Sequence, residues 1–452
     1  MFDESLQRKI NWKVGVYITL IVVLDWFWLT GTAIGEIGVW TIAAWAAVVI
    51  IQGLACISFL EMATMFKDSA GGLPTYVNHA FKKYGDFPGS IAAWGYILGW
   101  GAAPVALLMF AGYFVKETVM PSLNVTIFAV VVLAAIYIIN YFGTDIWSKV
   151  STFILVTAAV SLVACIGNWF IPVSSSSSVI GFGYIGENLN FTGFLGTMFI
   201  VAWSAYCIEG VLTLVAEYKD PIKDSKKALS VSVIVYLVGT IFVTVTYLKI
   251  IPLETILENP YTPLLPLAER FAGHLGEIAV MFAMVTGLMM SVNACFVSSS
   301  RVLYQSSIDG NNLKQFGSLN RYNSPYAALL LIFALNFGMI VLLGEEPVSI
   351  LRAGNVGYFL TVILANVSAY LLRKEMPDAE RPYKAPDFFI YLSLVIAGIN
   401  FLMVTIGGLS WGIVNMLVGL GLLLTYLPLY LYRKKVQDRK ESIGVQYKFP
   451  EI

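Results

Sequence analysis

The chain is divided into apolar stretches of about 20 residues, separated by short segments that hold nearly all of its charge. A helix needs about 20 residues to cross the roughly 30 Å of hydrocarbon in a bilayer, so such stretches predict membrane-spanning helices. Hydrophobic residues make up 58% of the sequence and charged residues 12%, against about 45–50% and about 25% in soluble domains. The pattern predicts an all-α membrane protein with twelve spans, near residues 14–36, 39–62, 90–115, 125–142, 150–172, 191–217, 229–251, 276–303, 325–343, 347–372, 387–407 and 411–432.

Lysine and arginine residues are concentrated on one side of this predicted topology. Short cytoplasmic loops retain basic residues, whereas translocated short loops exclude them. Of the 28 Lys and Arg residues, only Lys116, Lys249, Arg270 and Arg352 fall outside the two termini and the loops that share their side. We therefore expect a multi-pass protein of the cell (inner) membrane, with a cytoplasmic N-terminal segment 1–13 and a cytoplasmic C-terminal tail 433–452.

The residue patterns that several other functions require do not occur in the sequence. Two histidines and four well-separated cysteines form no metal-ligand pattern and no catalytic constellation. The glycine pair at 71–72 is not followed by the Lys-Ser/Thr of a phosphate-binding loop, and no basic cluster carries interleaved aromatic residues. We therefore expect no enzymatic activity, no cofactor or metal, and no nucleic-acid partner; the expected partners are the lipid bilayer and a small-molecule substrate.

Two predicted spans hold an acidic residue among small and polar residues near their middle. In the first span Asp25 is followed by Thr30 and Gly31, and in the sixth the segment 203–210 contains Glu209. A membrane helix can interrupt its hydrogen bonds only where other polar groups replace them, and an acid at that depth normally faces a wet cavity or a partner. Both spans are predicted to break at a substrate site. The alternative is that each acid pairs with a backbone group or a neighbouring helix.

Several short motifs occur in a fixed order at the ends of the predicted spans. They are Gly71-Gly72-Leu73-Pro74-Thr75-Tyr76, Gly99-Trp100-Gly101, Glu217-Tyr218-Lys219-Asp220-Pro221 and Arg381-Pro382-Tyr383-Lys384-Ala385-Pro386. Together they resemble the amino acid–polyamine–organocation superfamily of permeases over most of the chain. The resemblance implies a LeuT-type fold, in which residues 14–172 and 191–372 form two inverted repeats of five spans, residues 387–432 lie outside the repeat, and the first helix of each repeat is broken at the substrate.

The first span departs from the pattern of that superfamily. Most members carry a Gly-Ser-Gly-type stretch there, whose free amides bind the carboxylate of an amino acid, but this chain has Leu24-Asp25-Trp26-Phe27-Trp28. A carboxylate at Asp25 repels a substrate carboxylate and attracts an ammonium group. The sequence therefore favours a substrate with a cationic amine, such as a polyamine, a decarboxylated amino acid, or an amino acid exchanged for its amine. Chains resembling glutamate:GABA antiporters also lack the glycine stretch, so its loss does not exclude an amino acid as the substrate.

The candidate site residues cluster around the two predicted breaks. Trp203 and Glu209 resemble the aromatic stacker and the acid of arginine:agmatine-type exchangers, and Glu209 is the candidate for gating or proton coupling. Aromatic rings near the breaks suit a cation through cation–π contacts; ordinary packing is the alternative for each ring. The candidate substrate-binding residues are Asp25, Trp26, Trp28, Thr30, Gly31, Tyr96, Trp100, Trp203, Ser204, Tyr206, Cys207 and Asn293.

The mode of coupling is inferred from the fifth and eighth spans. Superfamily members driven by protons alone often carry a lysine in the fifth span, whereas residues 150–161 hold no charge here. This favours an antiporter that works by alternating access. Ser298 and Ser299 are candidate ligands of a sodium ion, although serines in helices often bond their own backbone. A proton- or sodium-coupled amino acid symporter remains the alternative, and a channel is the alternative of another class.

Overall fold

The computed structural model describes residues 10–19, 24–67, 72–143, 147–172, 179–343 and 346–438, with the backbone alone at 147–156. Of the two expected terminal segments, residues 1–9 and 439–452 lie outside the described residues, as does Gly71 of the glycine pair. The described ranges form helices joined by turns and loops, and their only β-type contacts are two isolated bridges. The expected all-α class is therefore confirmed.

The α-helices follow the chain as nineteen segments. They are α1 (Trp12–Thr19), α2 (Asp25–Ile37), α3 (Thr41–Met65), α4 (Gly72–Phe81), α5 (Phe87–Gly101), α6 (Ala103–Thr118), α7 (Val125–Tyr141), α8 (Trp147–Gly167), α9 (Phe191–Ala205), α10 (Gly210–Thr213), α11 (Pro221–Ile250), α12 (Leu253–Glu258), α13 (Leu264–Ile308), α14 (Tyr326–Leu343), α15 (Pro347–Glu375), α16 (Asp387–Leu402), α17 (Gly408–Ser410), α18 (Ile413–Leu424) and α19 (Tyr426–Tyr432).

Within the described ranges, nine helical segments are long and apolar enough to cross a membrane. They are Asp25–Met65, Phe87–Thr118, Phe191–Thr213, Pro221–Ile250, Leu264–Ile308, Tyr326–Leu343, Pro347–Glu375, Asp387–Ser410 and Ile413–Asp438. The fourth and fifth expected spans correspond to the shorter apolar helices Val125–Tyr141 and Thr157–Phe170, and Asp25–Met65 combines parts of the first two. These helices indicate a multi-pass membrane protein. The number of twelve membrane spans stays a prediction.

Several helices begin where the sequence supplies a capping side chain. The Asp220 carboxylate accepts a hydrogen bond from the Lys223 amide, and Pro221 occupies the first helical position of α11. Asn190 caps α9 in the same way through the amide of Gly193. A capped helix start satisfies an amide that the helix itself leaves free, and proline suits the first position because its missing N–H is not needed there.

The third span bends between α5 and α6, and a side chain from α14 repairs the bend. Pro104 cannot donate a backbone hydrogen bond, so the carbonyls before it lose their helical partners. The Asn336 amide donates to the Gly101 carbonyl at 2.6 Å, and its oxygen accepts from the Val105 amide at 2.9 Å. One buried amide therefore satisfies both sides of the break, as a lipid environment requires.

Glycines allow α5 and α15 to pack with their backbones nearly in contact. A Cβ atom added at Gly95 would lie 2.3 Å from the Gly357 carbonyl oxygen, and one at Gly99 would lie 2.5 Å from the Cβ of Tyr358. Small residues at such crossings let membrane helices approach closely. The contact brings Tyr96 of α5 beside Tyr358 of α15, with 5.9 Å between ring centroids.

A buried ionic network joins α3 to α15 at the end of the bundle where both helices finish, called here the basic end. Both carboxylate oxygens of Glu61 accept hydrogen bonds from Arg373 at 2.6 Å, and Arg381 and the Ala385 amide add bonds of 3.0 and 2.8 Å. Arg373 also bonds Asp387 at 2.7 Å. The Glu61 side chain is only 3% exposed, so its charge is removed from water and depends on these donors.

We predict that Arg373→Ala lowers the free energy of unfolding by about 3 kcal/mol, because it leaves the buried Glu61 carboxylate short of charge compensation. The measurement is a denaturant or detergent titration of the purified protein. Lys83→Ala is the matched control, since Lys83 pairs with Glu375 on the surface of the same end and exposed pairs contribute little. An equal loss of stability in both variants would contradict the assigned role of the network.

Candidate functional site

The first break separates α1 from α2 and leaves a buried acid at the start of α2. α1 ends at Thr19 and α2 begins at Asp25; residues 20–23 lie outside the described residues. Asp25 is 1% exposed, and among the described residues its Oδ2 atom has no hydrogen-bond partner. The indole N–H of Trp28 lies near this carboxylate, without the geometry of a full hydrogen bond. The Asp25 carboxylate is therefore buried and only partly satisfied.

The second break lies in the sixth span, where α9 gives way to a 3₁₀ turn over Tyr206–Glu209 before α10. The tighter turn releases backbone carbonyls from the α-helical pattern. Gln52 of α3 donates from Nε2 to the Tyr206 carbonyl at 3.0 Å, and the Tyr358 hydroxyl lies 3.4 Å from the same oxygen. Side chains of neighbouring helices thus take over the hydrogen bonds that the broken helix gives up.

Tyr236 of α11 links the two breaks. Its hydroxyl donates to the carbonyl of Thr19, the last residue of α1, at 3.3 Å, and it is also hydrogen-bonded to the Ser204 side chain of α9. Its ring packs edge-on against Trp26 at 5.0 Å between centroids. One side chain therefore holds the end of α1, the start of α2 and the end of α9 next to each other.

Glu209 lies within an aromatic enclosure formed by α5 and α15. Its Oε1 atom accepts from the Tyr96 hydroxyl at 3.0 Å and from the Tyr358 hydroxyl at 3.4 Å, while Oε2 has no partner among the described residues. The Trp100 ring lies 6.1 Å from the Tyr96 ring and 6.2 Å from the Tyr358 ring. The acid of the second break is thus held against two helices that lie outside the broken spans.

The tryptophans predicted for the site all lie near the breaks, but each also contacts other side chains or the backbone of the bundle. Trp203 donates from its indole nitrogen to the Gly99 carbonyl at 3.2 Å, at the bend of the third span. Trp28 stacks on Phe110 at 3.7 Å between centroids. Trp26 lies against Gly239, where an added Cβ atom would come within 2.0 Å of its ring. The indole N–H groups of Trp26 and Trp28 have no partner in the described part of the chain.

Four further predicted residues are engaged close to the breaks. The hydroxyl of Thr30 accepts from the Trp45 indole at 3.1 Å. Gly31 lies beneath the Pro260 carbonyl, which would be 2.4 Å from an added Cβ atom. The Cys207 thiol donates to the Trp203 carbonyl at 3.3 Å. Around the second break, Tyr206 directs its hydroxyl to Asn400 of α16. The close approach of Pro260 explains why position 31 is a glycine.

The predicted residues on α13 are not gathered into the same cluster. The Asn293 oxygen accepts a hydrogen bond from the Asn140 amide of α7 at 2.7 Å. Ser298 is exposed, whereas the neighbouring Ser299 is buried and its hydroxyl has no partner among the described residues. Successive residues of a helix point about 100° apart, so the two serines do not face one ion together.

Sequence reasoning missed three residues that complete the two breaks. They are Gln52 on α3, Tyr236 on α11 and Tyr358 on α15. Gln52 is an amide within an apolar span, and an uncharged polar residue at that depth was a usable signal because it must find a partner in lipid. The tyrosines gave no such signal, since tyrosine occurs widely in membrane helices and at their interfaces.

Each of the two breaks holds a buried acidic side chain. The groups that act on Asp25 and on Glu209 in the described part of the chain include no basic side chain. Residues 20–23 next to Asp25 are Leu, Ile, Val and Val, so they add no cation. A buried carboxylate costs several kcal/mol unless a cation or hydrogen-bond donors compensate it. The arrangement is suited to a small molecule that brings its own positive charge.

The amino acid permease family matches residues 14–425 of the chain. The human cystine/glutamate transporter is 22% identical over 363 residues, which cover 78% of this chain and 70% of that protein. A branched-chain amino acid permease of Bacillus subtilis is 23% identical over 476 residues, with 96% and 94% covered. A probable polyamine transporter of Arabidopsis thaliana is 27% identical over 397 residues, with 79% and 76% covered.

The chain therefore belongs to the amino acid permease family. The family and these relatives are transporters, so the chain is an amino acid permease by family and a transporter rather than an enzyme. The superfamily resemblance found in the motifs is confirmed by this match.

Proposed function

We propose that this member of the amino acid permease family is an exchanger whose substrate presents an ammonium group to Asp25. The observation that carries the proposal is the buried Asp25 carboxylate, which has an unpartnered oxygen and no basic neighbour in the described part of the chain. An ammonium group supplies three hydrogen-bond donors and a positive charge. The substrate itself therefore compensates the site, and an amine or an amino acid exchanged for its amine fits this chemistry.

The position of Asp25 at the start of α2 argues against a substrate carboxylate at the same place. The N-terminus of a helix carries a partial positive charge that attracts anions. Asp25 is the first residue of α2, so its own carboxylate already occupies that environment. A second carboxylate would meet repulsion in a medium of low dielectric constant. The polyamine transporter among the relatives is compatible with this preference for cations.

The helix contacts support a LeuT-type arrangement of twelve spans. When each of the first five spans is exchanged with the span five positions later, several of the larger helix contacts map onto one another. Span 2 packs on span 7 (α3 with α11), span 3 on span 8 (α6 with α13) and span 4 on span 9 (α7 with α14). The contact of span 3 with span 10 (α5 with α15) corresponds to that of span 8 with span 5 (α13 with α8). An inverted repeat produces such a pattern.

In the proposed mechanism, spans 1, 2, 6 and 7 rock against a scaffold of spans 3, 4, 8 and 9, and the site opens to each side in turn. Spans 11 and 12 lie outside the repeat. The contact of Glu209 with Tyr96 of α5, in span 3, crosses between the two parts that move relative to each other. Tyr358 of α15, in span 10, adds a second contact to the same carboxylate oxygen. Glu209 serves as the gate of one pathway, and a change in its protonation alters how strongly the two hydroxyls hold it.

Exchange is favoured over ion-coupled symport because the candidate ion ligands do not converge in the described part of the chain. Residues 150–161 hold no charge. The sodium alternative rests on Ser298 and Ser299, and the exposed side chain of Ser298 is turned away from the buried hydroxyl of Ser299. A buried hard cation needs several oxygen ligands converging on one point.

For Asp25→Asn we expect at least a tenfold loss of amine counterflow in proteoliposomes, because the neutral amide no longer attracts the ammonium group.

The wild-type protein should take up labelled amine only when unlabelled amine is present inside, and collapse of a proton or sodium gradient should leave this uptake intact. Uptake that needs no internal substrate and stops with either gradient would refute exchange.

Two controls separate the role of Asp25 from a folding defect. Asp378→Asn changes an exposed acid in the loop after α15 and should leave counterflow unchanged. The melting temperature of Asp25→Asn should be equal to or higher than that of the wild type, because an uncompensated buried charge is removed. Amine counterflow at the wild-type rate in Asp25→Asn would show that Asp25 does not bind the substrate.

Replacing the gate acid tests its proton dependence. Glu209→Gln keeps an oxygen that can accept from Tyr96 but cannot take up a proton, so the exchange rate should lose its dependence on pH between acidic and neutral conditions. Tyr358→Phe removes one donor and keeps the carboxyl group, so its rate should still vary with pH. A wild-type pH profile in Glu209→Gln would exclude this acid as the proton-sensitive gate.

The proposed orientation places the basic end in the cytoplasm, with both termini. The four native cysteines are buried, so introduced cysteines can be labelled selectively. Glu187 and Asp378 are exposed at opposite ends of the bundle. A membrane-impermeant maleimide should label Glu187→Cys in intact cells and Asp378→Cys only after the cells are permeabilised. The reverse pattern would place the termini outside.

A further inference from the structure

A polar crevice of about 250 Å³ opens at the end of the bundle opposite the basic end. It is bordered by the end of α2, by the segment that leads into α9, and by the turn between α17 and α18. Its main lining residues are Glu36, Asn188, Asn190, Thr192, Ser410 and Trp411. The space exceeds that of several water molecules, each of which takes about 30 Å³, so it accommodates a small organic molecule.

Some of the hydrogen-bond donors at the α2 and α9 side of the crevice are engaged within the protein. The Asn188 amide donates to Oε2 of Glu36 at 2.6 Å. The Thr192 hydroxyl donates to Oδ1 of Asn190 at 2.6 Å, and the same oxygen accepts from the Gly193 amide at 2.9 Å. After these bonds the Glu36 carboxylate and the Thr192 hydroxyl keep lone pairs that can accept further hydrogen bonds.

The donors at the α17–α18 side are engaged in the same way. The Ser410 hydroxyl donates to the Gly407 carbonyl at 2.7 Å, and the Trp411 indole nitrogen donates to the Gly196 carbonyl at 2.8 Å. Each donor points into the protein backbone. The carboxylate and hydroxyl oxygens of the lining therefore keep lone pairs for an ammonium group, which has three donors and no acceptor, while the Asn188 and Asn190 amides also offer N–H groups.

The charge around the crevice also favours a cation. Glu36 is the ionisable residue among those that line it. The neighbouring cation is Arg352, whose guanidinium lies 3.8 Å over the Trp411 ring and whose Nη1 atom is 3.6 Å from Glu346. Arg352 acts electrostatically on both Glu346 and Glu36, so these three side chains together carry one net negative charge. A carboxylate or phosphate would meet this charge and the lone pairs of the lining.

We infer that this crevice is a second recognition site, which captures the ammonium group of a small primary amine before it reaches the breaks. The inference rests on the proposed transport of amines. Glu36 and Asp25 both belong to α2 and lie eleven positions apart, about 16 Å along the helix axis at 1.5 Å per residue. The crevice is thus separate from the central site, although α2 and α9 connect the two.

The test uses ¹⁹F NMR of the full chain labelled with 5-fluorotryptophan, in the Asp25→Asn background so that the central carboxylate does not contribute. Loss of one resonance in Trp411→Phe assigns Trp411. Titration with n-butylamine should shift that resonance saturably, because the amine binds beside the indole. Adding Glu36→Gln to this background should lower the apparent affinity for n-butylamine at least tenfold. Glu187 is an exposed acid next to the same segment, so adding Glu187→Gln instead should leave the titration unchanged.

Butyrate serves as the anionic counterpart of the probe and should produce no saturable shift. The inference is overturned if n-butylamine gives no saturable shift at Trp411, if Glu36→Gln binds it equally well, or if butyrate binds at the same site. This readout is independent of transport, so a chain that binds n-butylamine at Trp411 but does not exchange amines would refute the proposed function alone.

The capture role has its own readout in proteoliposomes. With Asp25 intact, Glu36→Gln should raise the KM for external amine about tenfold and leave kcat unchanged, because capture precedes the transport step. An unchanged KM in a variant that has lost the NMR shift would show that the crevice binds amines without feeding the central site, and would overturn its role in capture.

Discussion

The structure depends on the need of every backbone polar group in lipid to find a hydrogen-bond partner inside the protein. Unbroken helices meet this need by themselves, but the spans that carry the site do not. Tyr236 bonds the last carbonyl of α1, Gln52 bonds a carbonyl of the 3₁₀ turn after α9, and Asn336 bridges the bend between α5 and α6. Each break therefore persists because a neighbouring helix supplies a specific polar side chain.

Charge is treated differently at the basic end and at the breaks. Glu61 is as buried as Asp25, yet Glu61 is surrounded by two arginines and a backbone amide. Asp25 keeps an unpartnered oxygen and has no basic neighbour in the described part of the chain. A compensated buried carboxylate holds helices together, whereas an uncompensated one is costly without a ligand. This contrast separates a structural acid from the acid assigned to substrate binding.

The same helices connect the central site to the crevice at the opposite end from the arginines. α2 begins at Asp25 and reaches Glu36, and α9 runs from Asn190 towards Trp203. A displacement of either helix therefore moves a residue of the crevice and a residue of the break together. Such shared helices give binding at the crevice a direct physical route to the central site.

The sequence by itself determined the class of the protein, its family, and the two spans where acids lie among small residues, because span length and helix breakers act locally. It did not show that Tyr358 reaches Glu209, that Asn293 bonds Asn140, or that Ser298 points away from Ser299. In water the polar face of a helix shows which side is buried, but in a membrane the lipid-facing and core-facing sides are both apolar. The rotation of each span, and with it the set of side chains that meet at the breaks, was decided only by the packing of distant helices.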